Sequence, residues 1–177
     1  MALSHALLTS LLEKSSSGYD LARRFDKSIG FFWHATHQQI YRELGRMQLA
    51  GWIESSSAPD AGKTRKRIYR VLAAGTAELL RWANQPSVPM DLRDELMVRL
   101  RAEAALGTLD LHSELEQRIA QHAEKLALYR EIEQRDFSTL PALSRAAKIH
   151  HMILKKGILY EENSIAWTRE MMKVLQK

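Results

Sequence analysis

The chain contains no cysteine, which excludes disulfides, thiolate metal sites and a cysteine nucleophile and fits a reducing, cytoplasmic setting. No run approaches the roughly 20 apolar residues that a membrane span requires. The apolar start, MALSHALLTSLLEK, has neither a basic leader region nor an A-x-A-like cleavage site, so it reads as a folded helix. Aromatic residues make up only 7% and prolines number four. Nothing matches a P-loop, a G-x-S-x-G elbow, an H-E-x-x-H pair or a dinucleotide fingerprint. Ser10, His5 and Asp20 are near in sequence, yet nothing places a base on a nucleophile. The expectation is a non-enzyme without a cofactor.

What is present is an ordinary globular composition of 45% hydrophobic residues over 177, enough for one domain or two small ones. The net charge of +5 is unevenly placed. Residues 1–89 hold 12 Lys/Arg against 7 Asp/Glu, whereas residues 90–177 hold 14 of each. The first half alone is therefore suited to meet a polyanion. Pro86 and Pro89 break helical structure between the halves. This predicts a domain over 1–85, a linker at 86–90 and a second domain over 91–177.

In the first half, Leu3, Leu7, Leu8, Leu11 and Leu12 recur at helical spacing. Ser15 to Ser17 break that helix and offer a cap for a second, to about residue 27, with Tyr19, Leu21, Ala22 and Phe25 inward. A turn with a bulky apolar plug, Phe31-Phe32-Trp33, leads to a third helix over residues 35–50, stopped by Gly51. Short strands over 52–55 and 67–72 flank a turn containing Pro59, Asp60 and Gly62. A fourth helix follows Gly75. The order of three helices, a hairpin and a helix is that of a winged helix-turn-helix. The second half reads as helices over 91–106, 109–134 and 141–175, so the chain is mainly α with a small β hairpin.

On the third helix, Ile40, Leu44 and Met47 form a buried stripe. A half-turn away, at 100° per residue, lie Ala35, Gln38, Arg42 and Gly45, flanked by His34, Gln39, Tyr41 and Arg46. Small residues leave room for close entry into a major groove, where Gln pairs bidentately with adenine and Arg with guanine. The bland alternative is a solvated helix face. The hairpin then places Lys63, Arg65, Lys66, Arg67 and Arg70 within eight residues without an acid. Such a wing grips phosphates or the minor groove; alternatively these cations only guard an edge strand.

Ser17-Gly18-Tyr19-Asp20-Leu21, then His37-Gln38-Gln39-Ile40-Tyr41-Arg42-Glu43-Leu44, Gly51-Trp52-Ile53 and the basic wing ending at Tyr69 resemble the PadR family of transcriptional regulators. With Ser28-Ile29-Gly30-Phe31-Phe32-Trp33 added, the likeness is greatest to its AphA-like branch. The resemblance is weaker in the second half, where Arg93-Asp94-Glu95 and Trp167 carry it. It implies a homodimeric regulator of transcription on double-stranded operator DNA, with Tyr19 and Tyr41 near the backbone and His37 to Arg42 near the bases. Tyr19 has the alternative of a half-buried core residue. The family's usual Tyr-Pro step is Tyr41-Arg42 here, which alters the base-reading face. The alternative function is a winged-helix interaction module without DNA, whose wing would lack this cation cluster.

One helix-turn-helix makes too few contacts to select a genomic site, so a dimerising element is expected. The last helix supplies one. Leu143, Ala147, Leu154, Ile158, Ile165, Met172 and Leu175 form one apolar stripe. Ala146, Ile149, Ile153, Tyr160, Trp167, Met171 and Val174 form a second, wider than the helix's own neighbours can cover. Gly157 inside it suggests a close helix crossing or a bend. His112, His122, His150 and His151 lack metal-ligand spacing and read as surface or interface residues. The resemblance also admits a small aromatic effector between the domains, with Trp33, Trp82 and Trp167 as candidate lining; ordinary core packing is the alternative.

Overall fold

The computed structural model describes residues 2–27, 29–31, 33–57, 67–89, 93–138 and 144–176. Two compact units emerge, residues 1–90 and 91–177. The first holds α1 (Ala2–Glu13), β1 (Ser16–Ser17), α2 (Gly18–Asp26), a 3-10 turn (Ile29–Phe31), α3 (His37–Leu49), β2 (Ile53–Ser57), β3 (Arg67–Val71) and α4 (Ala73–Ala83). The second holds α5 (Glu95–Leu106), α6 (His112–Phe137) and α7 (Arg145–Leu175). Among the described residues no helix is long and apolar enough to cross a membrane.

The first unit has the winged-helix order with one addition. The sheet has three strands, in the order β1-β3-β2, all antiparallel. Ser16 and Ser17, expected only as a helix break and cap, pair with Tyr69 and Ile68. Ser17 also caps α2, accepting from the Asp20 N–H, so one residue joins the base of the hairpin to the second helix. Arg24 holds this junction, donating to the Lys14 carbonyl at 2.9 Å, to Ser16 Oγ at 2.6 Å and to the Ser10 carbonyl.

The core gathers Leu7, Leu8 and Leu11 of α1, Leu21, Ala22 and Phe25 of α2, Ile40, Leu44 and Met47 of α3, and Ile53 of β2. Leu12, counted inward from the sequence, is half exposed. α4 begins at Ala73 rather than after Gly75, and Gly75 lies buried within it. A Cβ there would stand 2.2 Å from the Trp52 carbonyl oxygen, so only glycine lets α4 pass so close to that backbone.

A polar clasp joins α1 to α4, with His5 buried and Glu78 partly so. His5 Nε2 lies 2.9 Å from Glu78 Oε1, and the His5 ring stacks on Trp82 at 4.4 Å between centroids. The Arg81 guanidinium, with help from His5, holds the Glu78 carboxyl down at about 2.

In the second unit, α5 starts at Glu95 behind an Asp94 cap, later than the expected residue 91; residues 90–92 lie outside the described set. It ends on Gly107, whose φ of +66° is the left-handed conformation glycine adopts cheaply. α6 and α7 run as an antiparallel pair, and α6 starts three residues later than the periodicity suggests. Ser144 caps α7; the expected start at Pro141, and Leu143, lie outside the described residues. The Tyr129 ring lies against Gly157, where a Cβ would meet it at 3.0 Å, which is the close crossing that glycine suggested. Two of the histidines read as surface or interface residues staple the pair. His122 Nδ1 bonds Glu161, and His151 Nε2 lies 2.8 Å from Glu133 Oε1. Hydrogen bonds from His151 and then Arg130 lower the Glu133 carboxyl. His151 and Glu161 are both buried, so each supplies the other helix's polar partner away from water.

Candidate nucleic-acid interface

α3 is set in place by its own N-terminus. Thr36 accepts from the Gln39 N–H, and Gln39 Oε1 accepts from the Thr36 N–H at 2.8 Å, a complete capping box. The helix therefore starts at His37, not at residue 35. Ala35 precedes it and is buried in the core, so it is no part of the outward face proposed from the wheel. Gln39 remains exposed, but its side-chain oxygen is engaged by the cap.

The rest of the outward face stands as the periodicity implies. Ile40, Leu44 and Met47 are almost wholly buried, while Gln38, Arg42 and Gly45 are exposed on the other side. Nothing lies within 4 Å of a Cβ added at Gly45, so that stretch of the face is open. Arg46 is exposed and lies 3.5 Å from Glu43. Arg42, by contrast, has no ion pair among the described residues. His34 is exposed in the segment before the helix.

Two contacts fix α3 against α2. His37 Nε2 lies 2.8 Å from Asp26 Oδ2, both half exposed; no sequence signal links them. Tyr41 packs its ring on Gly18, where a Cβ would come within 2.5 Å of Tyr41 Cε1. The glycine of the Ser17-Gly18-Tyr19 motif is therefore the seat for the Tyr41 ring. Tyr41 is 47% exposed and Tyr19 56% exposed, so Tyr19 does not belong to the inward stripe of α2.

In the hairpin, Ser57 pairs with Arg67 and Glu54 with Arg70. Arg70 Nε donates to Glu54 Oε1 at 3.0 Å, so its charge is met by an acid that lies across the ladder, unseen in the linear run of cations. Arg67 is exposed with no ion pair among the described residues. Lys63, Arg65 and Lys66 lie outside the described residues. Trp82 is engaged by His5; Trp33 and Trp167 are each about two-fifths exposed. No three His, Asp or Glu side chains gather as a metal site among the described residues.

α7 divides its apolar surface. Ile158 and Ile165 are buried within the unit, but Ile149, Ile153, Tyr160 and Trp167 are each between 41% and 59% exposed, with Val174 at 77%. Met171 is half-buried and Ala146 exposed.

The comparisons with known proteins join these features. The transcriptional regulator PadR-like family matches residues 7–81, and the virulence activator alpha C-terminal family matches residues 92–176. A Mycobacterium tuberculosis protein named "probable transcriptional regulator Rv1176c" is 40% identical over 100% of this chain and 99% of its own. The chain belongs to the PadR-like family of transcriptional regulators. The Bacillus subtilis negative transcriptional regulator PadR is 25% identical over 99% of this PadR-like chain and 98% of its own. Among solved structures, the Vibrio cholerae virulence activator AphA superposes with a TM-score of 0.82 at 28% identity, covering 98% of this chain and 97% of its own. Bacillus subtilis PadR in complex with operator DNA gives 0.86 at 24% identity, with 98% of each chain covered. The winged-helix unit followed by a helical C-terminal unit is thus the shared PadR-like architecture.

Proposed function

We propose that this regulator acts as a homodimer on operator DNA, with α3 in the major groove and the β2–β3 wing on flanking phosphates or the minor groove. The observation that carries the reading is the outer face of α3. Gln38, Arg42 and Gly45 are unobstructed, and Arg42 keeps a charge that no acid in the described chain neutralises. Gln and Arg in such a position discriminate bases, each good bidentate pair being worth roughly 1–3 kcal/mol. Tyr19, Tyr41, His37 and Arg46 border this face, and Arg67 with Lys63, Arg65 and Lys66 supplies the wing. In this reading residues 1–85 bind DNA, 86–90 link, and 91–177 dimerise through Ile149, Ile153, Tyr160, Trp167 and Met171. The Bacillus subtilis PadR structure with operator DNA supports the DNA partner.

A small aromatic effector belongs to the same proposal. Bacillus subtilis PadR has been crystallised with p-coumaric acid, and Trp33 and Trp167 here have exposed rings. The experiment for the whole reading is selection of bound fragments from random duplexes by the purified protein. We expect an inverted repeat whose half-sites lie one or more helical turns apart, about 10 bp per turn, and release of the selected duplex by p-coumaric acid. Bound sequences without two-fold symmetry would count against paired recognition helices. Binding indifferent to p-coumaric acid would count against that effector and leave the DNA reading intact.

A further inference from the structure

α1 and the second half of α3 border a groove on the first unit, apart from the outward face of α3. Its lining is Leu3 of α1, Glu43, Arg46, Met47 and Ala50 of α3, and Trp52 just beyond, around a volume of about 230 Å³. Glu43, Met47 and Ala50 succeed one another at four and three residues, so they form one row, roughly a third of a turn from Gln38 and Arg42. The volume is below the roughly 300–1,000 Å³ of sites for drug-sized molecules, so the groove suits a fragment-sized ligand.

The groove is preformed around Trp52. The Trp52 N–H donates to the Met47 carbonyl at 3.0 Å, and the Trp52 carbonyl accepts from the Leu72 N–H at 2.9 Å. Its ring centroid lies 6.2 Å from that of His5. Met47 belongs to the core and Leu3 packs against it. Walls held in this way cost a ligand little reorganisation.

The charge in the groove is unbalanced. The Glu43 side chain is 17% exposed, yet its carboxylate has no hydrogen bond among the described residues. Its one ion pair there is with Arg46 at 3.5 Å, and the Arg46 side chain is 70% exposed. So exposed a cation is screened by water, whereas a largely covered carboxylate calls for a donor within hydrogen-bonding reach. A ligand with positively charged N–H groups supplies what Glu43 lacks. Trp52 offers the ring type that attracts a cation most strongly, and Leu3, Met47 and Ala50 accommodate an apolar body. An anionic ligand would meet the Glu43 charge. A bare divalent cation would find one carboxylate where it needs several oxygen ligands.

We propose that this groove binds a small organic amine, its ammonium between the Glu43 carboxylate and the Trp52 ring and its apolar body against Leu3, Met47 and Ala50. The site lies within the first unit and is independent of operator DNA and of the aromatic effector.

The test is isothermal titration calorimetry of the full-length protein with 2-phenylethylamine. Two controls, 2-phenylethanol and 3-phenylpropionate, keep the ring and replace the ammonium by a neutral or an anionic group. The amine is expected to bind with a dissociation constant of about 1 mM or tighter, and both controls at least about 10-fold more weakly. Glu43→Gln keeps the shape, removes the charge and should weaken the amine by roughly 10–100-fold. Arg46→Ala removes the competing cation and should tighten it by about 2- to 5-fold, a gain that damage to the fold does not produce. Absence of amine binding up to about 10 mM overturns the site. Equal affinity for 2-phenylethanol overturns it too, as does amine binding that both substitutions leave unchanged.

Discussion

Replacing Ile153 or Trp167 with Glu is expected to leave the fold intact and convert the protein to monomers at micromolar concentration. Ile153, Tyr160, Trp167 and Val174 succeed one another at intervals of seven along α7, and all four are substantially exposed. A seven-residue apolar repeat on one side of a long helix is the pattern that packs against another helix. Within the unit, α7 already meets α6 through its other stripe, where Ile158 and Ile165 are buried. A second copy of the chain is the partner that the proposed homodimer supplies. In a two-fold interface each substitution occurs twice, so two carboxylates must be desolvated or the interface given up. With interface anchors typically worth at least about 2 kcal/mol each on removal, the doubled penalty approaches a thousandfold in dimer dissociation. DNA affinity should fall with it, because the second half-site no longer binds at the effective concentration set by the first. Sedimentation equilibrium measures the first effect directly; an intact dimer in both variants would place the interface elsewhere.

The second large effect is on stability and comes with a built-in contrast. Gly75→Ala is expected to lower the melting temperature of the first unit, whereas Gly45→Ala raises it. Both glycines lie inside helices, where Ala is intrinsically better by about 1 kcal/mol. At Gly45 nothing stands within 4 Å of the added methyl, so the helix preference acts alone. At Gly75 the methyl would overlap the Trp52 carbonyl oxygen at 2.2 Å and press on Val71 Cγ1 at 3.0 Å. The carbonyl is backbone, and it also accepts from the Leu72 N–H at 2.9 Å, so it does not swing aside as a side-chain tip would. Relief requires α4 to move away from the α3–β2 connection, which strains the His5–Glu78 clasp as well. Overpacking of this kind costs about 1–3 kcal/mol, outweighing the helix gain in all but its mildest form. At about 4–8 °C per kcal/mol for a unit of this size, the shift is several degrees downward. Circular-dichroism melts of the two variants decide it: equal shifts, or a Gly75→Ala variant that melts above the Gly45→Ala variant, would contradict the packing described for α4.

Much of this is legible in the sequence wherever local periodicity governs. The buried stripe of Ile40, Leu44 and Met47, with Gln38, Arg42 and Gly45 opposite, follows from the 3.6-residue repeat, and the family motif falls on the same residues. The failures have a common cause in interactions made at a distance or at helix ends. The helical wheel includes Ala35 because spacing says nothing of where a helix begins; the Thr36–Gln39 box decides that. Two serines carry no strand pattern, so β1 exists only because β3 offers Ser16 and Ser17 a ladder. Gly75 looks like a helix start because glycine interrupts helices, yet here it admits a neighbouring backbone. Arg70 reads as a free wing cation until the hairpin register sets Glu54 beside it. The sequence leaves His122 and His151 open between surface and interface because their partners, Glu161 and Glu133, lie 39 and 18 residues away. Tyr19 counts as apolar in the pattern, whereas its ring stands at the edge of α2 beneath Arg23.

The most direct measurement is a comparison of Arg42→Ala and Arg67→Ala binding to selected and scrambled duplexes across a salt series. The account predicts that the two changes separate. Arg42→Ala should narrow the preference for the selected duplex by roughly 5- to 150-fold, the equivalent of 1–3 kcal/mol. Arg67→Ala should weaken both duplexes equally and reduce the salt slope by about 0.9. An unchanged preference in the first variant together with an unchanged slope in the second would contradict the placement of α3 and the wing on DNA.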